Sequence, residues 1–287
     1  MLRSLYNLIP ESWVKQALYN KLYQFSYLYA LEKITAHAAL AGDGLFCIEL
    51  TDGTVFYGRR DDFWHSPILP KLPHLKVLQG CETTLGLICY QYVAGEYERY
   101  YKIRQGDVVV DAEANIGTFT VKAAQSVGKA GLVVAIEPES TNFRLLQRNV
   151  RENCLSNVIC LNQALWSEPK RLELEVATHQ AGHSIAGGGG WHTHHTGESQ
   201  SVDADTLDNI LASQNIGSAD FLKVDIEGSE AVAMNGMSKA LSGDVGLVIE
   251  ISHRFQGQDT VRVVAPFLRD RGFTLKERGG LIYGWRR

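Results

Sequence analysis

The stretch Val108-Val-Val-Asp111-Ala-Glu113-Ala-Asn115-Ile-Gly117-Thr118-Phe119-Thr-Val121 decides the fold of this 287-residue chain. An apolar run meets an acidic residue, then a tight turn of small residues, then a helical pattern. An open α/β sheet forms a nucleotide-sized crevice in this way, beyond the carboxyl end of a central strand. Further on, a second apolar run, Leu132-Val-Val-Ala-Ile136, ends in Glu137-Pro138. An acidic side chain at the tip of a neighbouring strand can accept both hydroxyls of a ribose. The two signals together predict a ligand of the adenosine type.

Charge narrows the ligand. A dinucleotide site wants G-x-G-x-x-G, because a pyrophosphate must approach bare backbone at the helix start. Here the turn reads D-A-E-A-N-I-G, with one carboxylate before it and another inside it. Carboxylates repel pyrophosphate and suit a ligand carrying an ammonium and a sulfonium. S-adenosylmethionine is such a ligand, so methyl transfer is expected over hydride transfer.

Five blocks in order carry a family resemblance: Gly106-Asp-Val-Val-Val-Asp-Ala-Glu-Ala-Asn-Ile-Gly117, Ile136-Glu-Pro-Glu-Ser-Thr-Asn-Phe143, Asn162-Gln-Ala-Leu165, Phe221-Leu-Lys-Val-Asp-Ile-Glu-Gly-Ser-Glu230 and Val248-Ile-Glu-Ile251. From about Tyr97 to the C-terminus the chain resembles the FkbM family of S-adenosylmethionine-dependent methyltransferases. The resemblance implies a class I methyltransferase fold, a Rossmann-like and mostly parallel sheet closed by a C-terminal antiparallel hairpin. It also implies an acceptor hydroxyl on a sugar, glycolipid or secondary metabolite. The family's turn reads D-x-G-A-N-I-G, and Glu113 stands where glycine is expected. Glu113 then either keeps an ordinary φ and points past the ligand, or pairs with the methionyl ammonium, or fills the pocket. Retained binding is the expectation, with a non-catalytic cofactor-binding protein as the alternative.

Two domains are expected: an α+β extension over 1–95 and the cofactor-binding domain over 96–287. Residues 1–40 read as helical, with apolar residues at 14, 18, 22, 25 and 29 at helical spacing. Such a stripe packs on its own domain or on a second copy of the chain. An Asp52-Gly53 turn between short β-rich runs predicts a hairpin over 44–57. Trp64 to Pro73 reads as a loop, and Val93 to Tyr101 leads into the core. Core strands are expected at 107–111, 132–136, 158–162, 221–225 and 246–251. A helix from Thr141 is capped by Ser140 or Thr141 and has Phe143, Leu146 and Val150 on one face. Another helix spans 260–271, and a hairpin with a three-residue glycine turn at 278–280 ends the chain.

Composition sets bounds. The chain is 45% hydrophobic and 21% charged, as ordinary globular proteins are, and its net charge of −4 argues against a phosphate-backbone partner. An RNA acceptor is therefore the lesser alternative. Five cysteines without regular spacing suggest reduced thiols and a cytoplasmic setting. No run approaches the ~20 apolar residues of a membrane span.

Four side-chain sets should converge at the crevice. Asp111, Glu113, Asn115, Gly117, Thr118 and Phe119 would hold the methionine part. Glu137 and Pro138, with Asn142, would hold the ribose, and Gln163, Ala164 and Leu165 would flank adenine. The fourth set is Lys223-Val-Asp225-Ile-Glu227, where Lys223 and Asp225 share a strand face. Methyl transfer to oxygen needs a base, and Asp225, Glu227 or His253 could serve. With Glu250 these residues could also hold a divalent cation, the less favoured arrangement. The His- and Gly-rich stretch 179–195 reads as a flexible, substrate-covering loop in preference to a metal site at His192, His194 and His195.

Overall fold

The computed structural model describes residues 26–42, 44–60, 66–185, 187–188 and 194–286. The chain divides into two compact units, Met1–Gly95 and Glu96–Arg287.

In the first unit, residues 26–34 are helical and the chain then turns into strand β1 (Thr35–Leu40), where the sequence pattern had suggested a continuing helix. β1 pairs antiparallel with β2 (Leu45–Leu50), which pairs with β3 (Val55–Arg59) across the expected Asp52-Gly53 turn. β-Branched Thr35 opens the strand, and the alanines beyond it have no strand preference of their own, so the pairing with β2 sets their conformation. Of the apolar stripe, positions 14, 18, 22 and 25 lie outside the described residues, and Tyr29 is exposed. A short helix, α1 (Glu82–Leu87), follows and packs Leu85 inward.

The second unit is a seven-stranded sheet. Its parallel part is β4 (Val108–Ala112), β5 (Leu132–Ile136), β6 (Val158–Leu161), β11 (Phe221–Val224) and β12 (Gly246–Glu250), and the antiparallel hairpin β15 (Thr274–Arg278) and β16 (Leu281–Trp285) closes it. The order β15-β16-β12-β11-β4-β5-β6 reverses direction of winding between β4 and β11, so a crevice opens beyond their carboxyl ends. All four positions of β11 are buried, as strands covered on both faces must be.

Between β6 and β11 the chain builds a second sheet, missed by sequence reading. It comprises β7 (Ala164–Leu165), β8 (Lys170–Ala177), β9 (Ser184–Ile185) and β10 (His195–Asp205), in the order β7-β10-β8-β9. The stretch expected to be a flexible loop is thus flanked by the long β8–β10 ladder, and Ser184 and Ile185 pair back onto β8. The Gly-rich signal masked β8, whose alternating Leu172, Leu174 and Val176 face one way. β13 (Arg254–Phe255) and β14 (Gln258–Asp259) form a small hairpin beyond β12.

The helices match the expected spans with local differences. α2 (Thr118–Val127) starts at Gly117, whose φ of 88° places it in the left-handed region. A Cβ there would lie 2.7 Å from Leu146 Cδ1, so glycine is required on both counts. α3 (Ser140–Glu152) is capped by Glu139, whose carboxylate accepts from the Thr141 and Asn142 N–H groups; the cap is therefore one residue earlier than the expected serine or threonine. α4 (Leu207–Ser213) is capped by Thr206, α5 (Glu230–Ala233) follows β11, and α6 (Val261–Asp270) precedes the last hairpin. That hairpin turns on Gly279 and Gly280 alone, both at positive φ, with Arg278 opposite Leu281. A two-residue turn of this kind matches strand twist better than the expected three-residue one. Cys81 and Cys89 are buried, whereas Cys154, expected to be buried, is exposed at a φ of 53° after α3.

Candidate active site

The acidic residue ending β4 is held entirely by the fold. Asp111 is fully buried; it accepts from Thr120 Oγ1 at 2.5 Å and lies 3.2 Å from Lys223 Nζ on the adjacent β11. Lys223 also donates to the backbone oxygens of Ala112 and Glu113, at 3.1 and 2.6 Å. Burial alone would lower the lysine's pKa, but Asp111, Asp225 and Glu113 outweigh it and raise the value. Lys223, the one buried lysine among the described residues, is thus clamped to the turn.

After Asp111 the backbone enters the left-handed region twice, at Glu113 (φ 61°) and Asn115 (φ 53°). Glu113 does not have the ordinary φ that would let its side chain point past the ligand. It takes up the strained conformation that glycine serves more cheaply, at a cost of about 1–3 kcal/mol. Its carboxyl is directed inward among other acids. Burial first, then Glu227, Glu137 and Asp225, push its pKa well above the usual carboxylate range against the pull of Lys223. Asn115 N–H donates to Glu137 Oε2 at 2.7 Å, and Glu139 N–H donates to Glu137 Oε1 at 2.9 Å. Burial outweighs these bonds and holds the Glu137 carboxyl at about 8.

Glu113, Pro138, Gln163, Ala164 and Leu165 line one cavity together with Ile136, Leu174, His183, Ser184, Ile185, Ile226 and Ser229. The five expected residues among these therefore do meet. Those contributed by β8, β9 and the segment before β9 were missed, because the histidines and glycines there read as loop composition. The cavity has about 20 Å³ of free space, room for roughly one water. Asn115 Nδ2 and Asn142 Nδ2 both donate to the Gln180 carbonyl, at 2.6 and 2.8 Å, and tie the segment between β8 and β9 to the turn after β4 and the start of α3. Thr118 and Phe119 follow that turn in α2; Phe119 packs edge-on against Tyr97 and close to Phe221. Trp166 packs on Phe255, away from the cavity.

The remaining acids gather past the ends of β11 and β12. The strand stops at Val224, so Asp225 begins the following loop instead of sharing a strand face with Lys223. Asp225 Oδ2 accepts from the Tyr97 hydroxyl at 2.6 Å, which gives the segment before β4 a direct role in the cluster. Glu227 is again left-handed, at φ 48°. His253 is buried; its Nδ1 lies 2.9 Å from Glu230 Oε1, and its Nε2 lies 3.4 Å from Glu227 and 3.9 Å from Glu250. Burial, Asp225, Glu250 and Glu230 raise Glu227 to about 8 against the pull of His253. Glu250 rises to about 7 through burial and Asp225. Burial would lower the histidine, but Glu227, Glu230 and Glu250 prevail and hold it well above its ordinary value. These protons belong to the cluster as a unit.

Comparison with known proteins adds a name to this arrangement. A curated protein, the tRNA(Phe) (4-demethylwyosine(37)-C(7)) aminocarboxypropyltransferase of Methanocaldococcus jannaschii, is 33% identical over 104 residues, which cover 31% of this chain and 41% of that protein. Among solved structures, the FkbM methyltransferase of Methylobacillus flagellatus KT aligns with a TM-score of 0.46 and 19% identity over 71% of this chain and 54% of that one. Aeropyrum pernix fibrillarin, solved with natively bound S-adenosyl-L-methionine, aligns with a TM-score of 0.42 and 11% identity over 87% and 98% of the two chains. The chain thus spans only part of the length of the first two. The methyltransferase FkbM domain model matches residues 111–275, from the acid that ends β4 to the closing hairpin and through both acidic groups, and this chain belongs to that family.

Proposed function

We propose that the chain binds S-adenosylmethionine in the crevice beyond β4 and β11 and transfers its methyl group to a hydroxyl oxygen of a sugar, glycolipid or secondary metabolite. The observation that carries this reading is the ring of carboxyls, Glu113, Glu137, Asp225 and Glu227, around a crevice whose only buried lysine among the described residues is already held by Asp111. An ammonium and a sulfonium would draw these raised carboxyls into their ionised form and pair with it, whereas a phosphate would find no free buried lysine among the described residues. Glu113 would then meet the methionyl ammonium, and Asp111, Asn115 and Gly117 would shape the backbone around it. Glu137 has lone pairs left for ribose hydroxyls, with Asn142 beside it. Pro138, Gln163, Ala164 and Leu165 would enclose adenine.

In the transfer, the acceptor oxygen forms a bond to the methyl carbon as the carbon–sulfur bond breaks, and S-adenosylhomocysteine leaves. The hydroxyl proton passes to a carboxylate, for which Glu227 is the best placed: its value of about 8 makes it a competent base near neutral pH. Asp225 shares the cluster as the second candidate. His253, whose value the surrounding acids raise, faces Glu227 at 3.4 Å and acts by holding it, so it is a positioning residue in this reaction. Most of the acceleration comes from holding oxygen and methyl carbon in line.

Calorimetric titration with S-adenosylmethionine and S-adenosylhomocysteine tests the reading, with micromolar binding of both expected. Binding of neither would mean that Glu113 fills the pocket, and would leave a chain without catalysis. The similarity to a tRNA-modifying enzyme supports an RNA acceptor as the second reading. That reading requires RNA binding that weakens steeply with salt, against a net charge of −4.

A further inference from the structure

We infer that Asp225, Glu227 and His253 form a binding site for a divalent cation. One ligand atom from each residue lies within 4.8 Å of the others. A cation with metal–ligand bonds of about 2.1–2.4 Å keeps its ligands roughly 3–5 Å apart, so the three need only side-chain adjustment to close on it.

Three features separate this group from an ordinary acidic patch. First, the imidazole is oriented from behind. Glu230 is fully buried at the start of α5, where its Oε1 accepts the N–H groups of Ile226 and Gly228 and faces His253 Nδ1 at 2.9 Å. A carboxylate that fixes one ring nitrogen and leaves the other facing inward is the usual support of a metal-bound histidine. Second, the inward nitrogen faces carboxylates. His253 is 5% exposed, and its Nε2 lies 3.4 Å from Glu227 Oε2 and 3.9 Å from Glu250 Oε1. Third, Asp225 Oδ1 is buried without a hydrogen-bond partner, while its other oxygen is fixed by Tyr97. Asp225 and His253 are thus each fixed at one atom by a neighbouring side chain and offer the other atom within reach of a shared cation.

One nitrogen among oxygens suits Mn²⁺ or Zn²⁺ better than Ca²⁺. For its role in the reaction the inference rests on the function proposed above; the binding itself does not. An acceptor hydroxyl coordinated there would lose its proton more readily. With Glu227 engaged by the cation, the role of base assigned to it above would pass to Glu250, which is 3.9 Å from His253 Nε2 and outside the three ligands.

The test is direct binding of Mn²⁺ to the chelator-treated full chain, read from the loss of the free-ion EPR signal and repeated calorimetrically with Zn²⁺. One ion per chain is expected. Asp225→Asn and Glu227→Gln, which keep side-chain shape, should each weaken binding at least tenfold, and Glu173→Gln on the exposed face of β8 should leave it unchanged. Absence of binding of either ion to the folded wild-type chain overturns the site, as does equal binding by Asp225→Asn and Glu227→Gln. Should a variant not fold, the wild-type chain still decides, because imidazole coordination broadens the His253 ring resonances when Mn²⁺ is added; unbroadened resonances at full occupancy place the ion elsewhere. Titration with S-adenosylmethionine is run separately. Cation binding without cofactor binding would count against the proposed function alone, and cofactor binding without the cation against this site alone.

Discussion

The carboxyl ends of β4 and β11 lie side by side in the same sheet, one with Asp111 just before its last residue and the other followed by Asp225, and the two acids are held differently. Asp111 is paired with a cation: Thr120 donates to one oxygen, Lys223 Nζ lies 3.2 Å from the other as an ion-pair contact, and the lysine in turn pins the backbone of the next turn. Asp225 is left open, with a tyrosine on one oxygen and nothing on the other, among carboxyls that repel it and each other. The difference teaches where the fold secures itself and where it holds chemistry in reserve. Buried charge is stable when paired and costly when not, so an unpaired cluster persists only for a ligand.

Breaking the secured side should have the largest effect. Lys223→Met strands Asp111 without its cation and should cost about 3–5 kcal/mol in urea denaturation. The open side should respond in rate instead. Glu227→Gln should lower turnover about 100-fold or more at saturating cofactor and acceptor, with the unfolding midpoint at neutral pH preserved or raised. Undiminished turnover would remove Glu227 from the base's role.

The pH dependence sharpens the contrast. Glu227 and Glu250 hold protons in the folded chain up to about 8 and 7, far above the value of an unfolded carboxyl near 4.5. Between those limits the folded state binds more protons than the unfolded one, so stability falls as pH rises. His253 acts in the same direction, because its raised value stabilises the fold below its ordinary pKa and the gain is lost above the folded one. In chelator-treated protein the melting temperature should drop from pH 5 to pH 8. Glu227→Gln should recover several degrees of that drop at the alkaline end, and a flat profile would contradict the shifts. Glu113→Gly should give the smallest effect: relief of left-handed strain worth about 1 kcal/mol, seen as a melting rise of a few degrees.

The sequence made the sheet legible because each core strand is an apolar run punctuated by an acid or glycine where the chain must turn. The same punctuation located Asp111, Glu137 and Asp225. It did not show the small sheet, since β8 carries charged residues on its exposed face and the glycines after Ile185 drew attention away from it. Nor could it show what holds what. Glu139 as a cap, Tyr97 reaching Asp225 across 128 positions and Glu230 behind His253 are long-range or backbone-level bonds with no local pattern. Glu113 was legible as an exception, but its conformation was not: an ordinary φ was the simpler expectation, and the Lys223 clamp on its carbonyl accompanies the left-handed one.

The Gln180 carbonyl, gripped by Asn115 and Asn142, has a kinetic consequence. A nucleoside as large as the proposed ligand needs more than the cavity's about 20 Å³, so Ser184 and Ile185, which line it from β9, have to move together with the segment those two bonds hold. Association therefore waits on their rupture, and the observed binding rate should level off with rising ligand concentration at the frequency with which this segment opens. A stopped-flow trace that saturates in this way, and saturates sooner at higher frequency in Asn142→Ala, would time the latch directly.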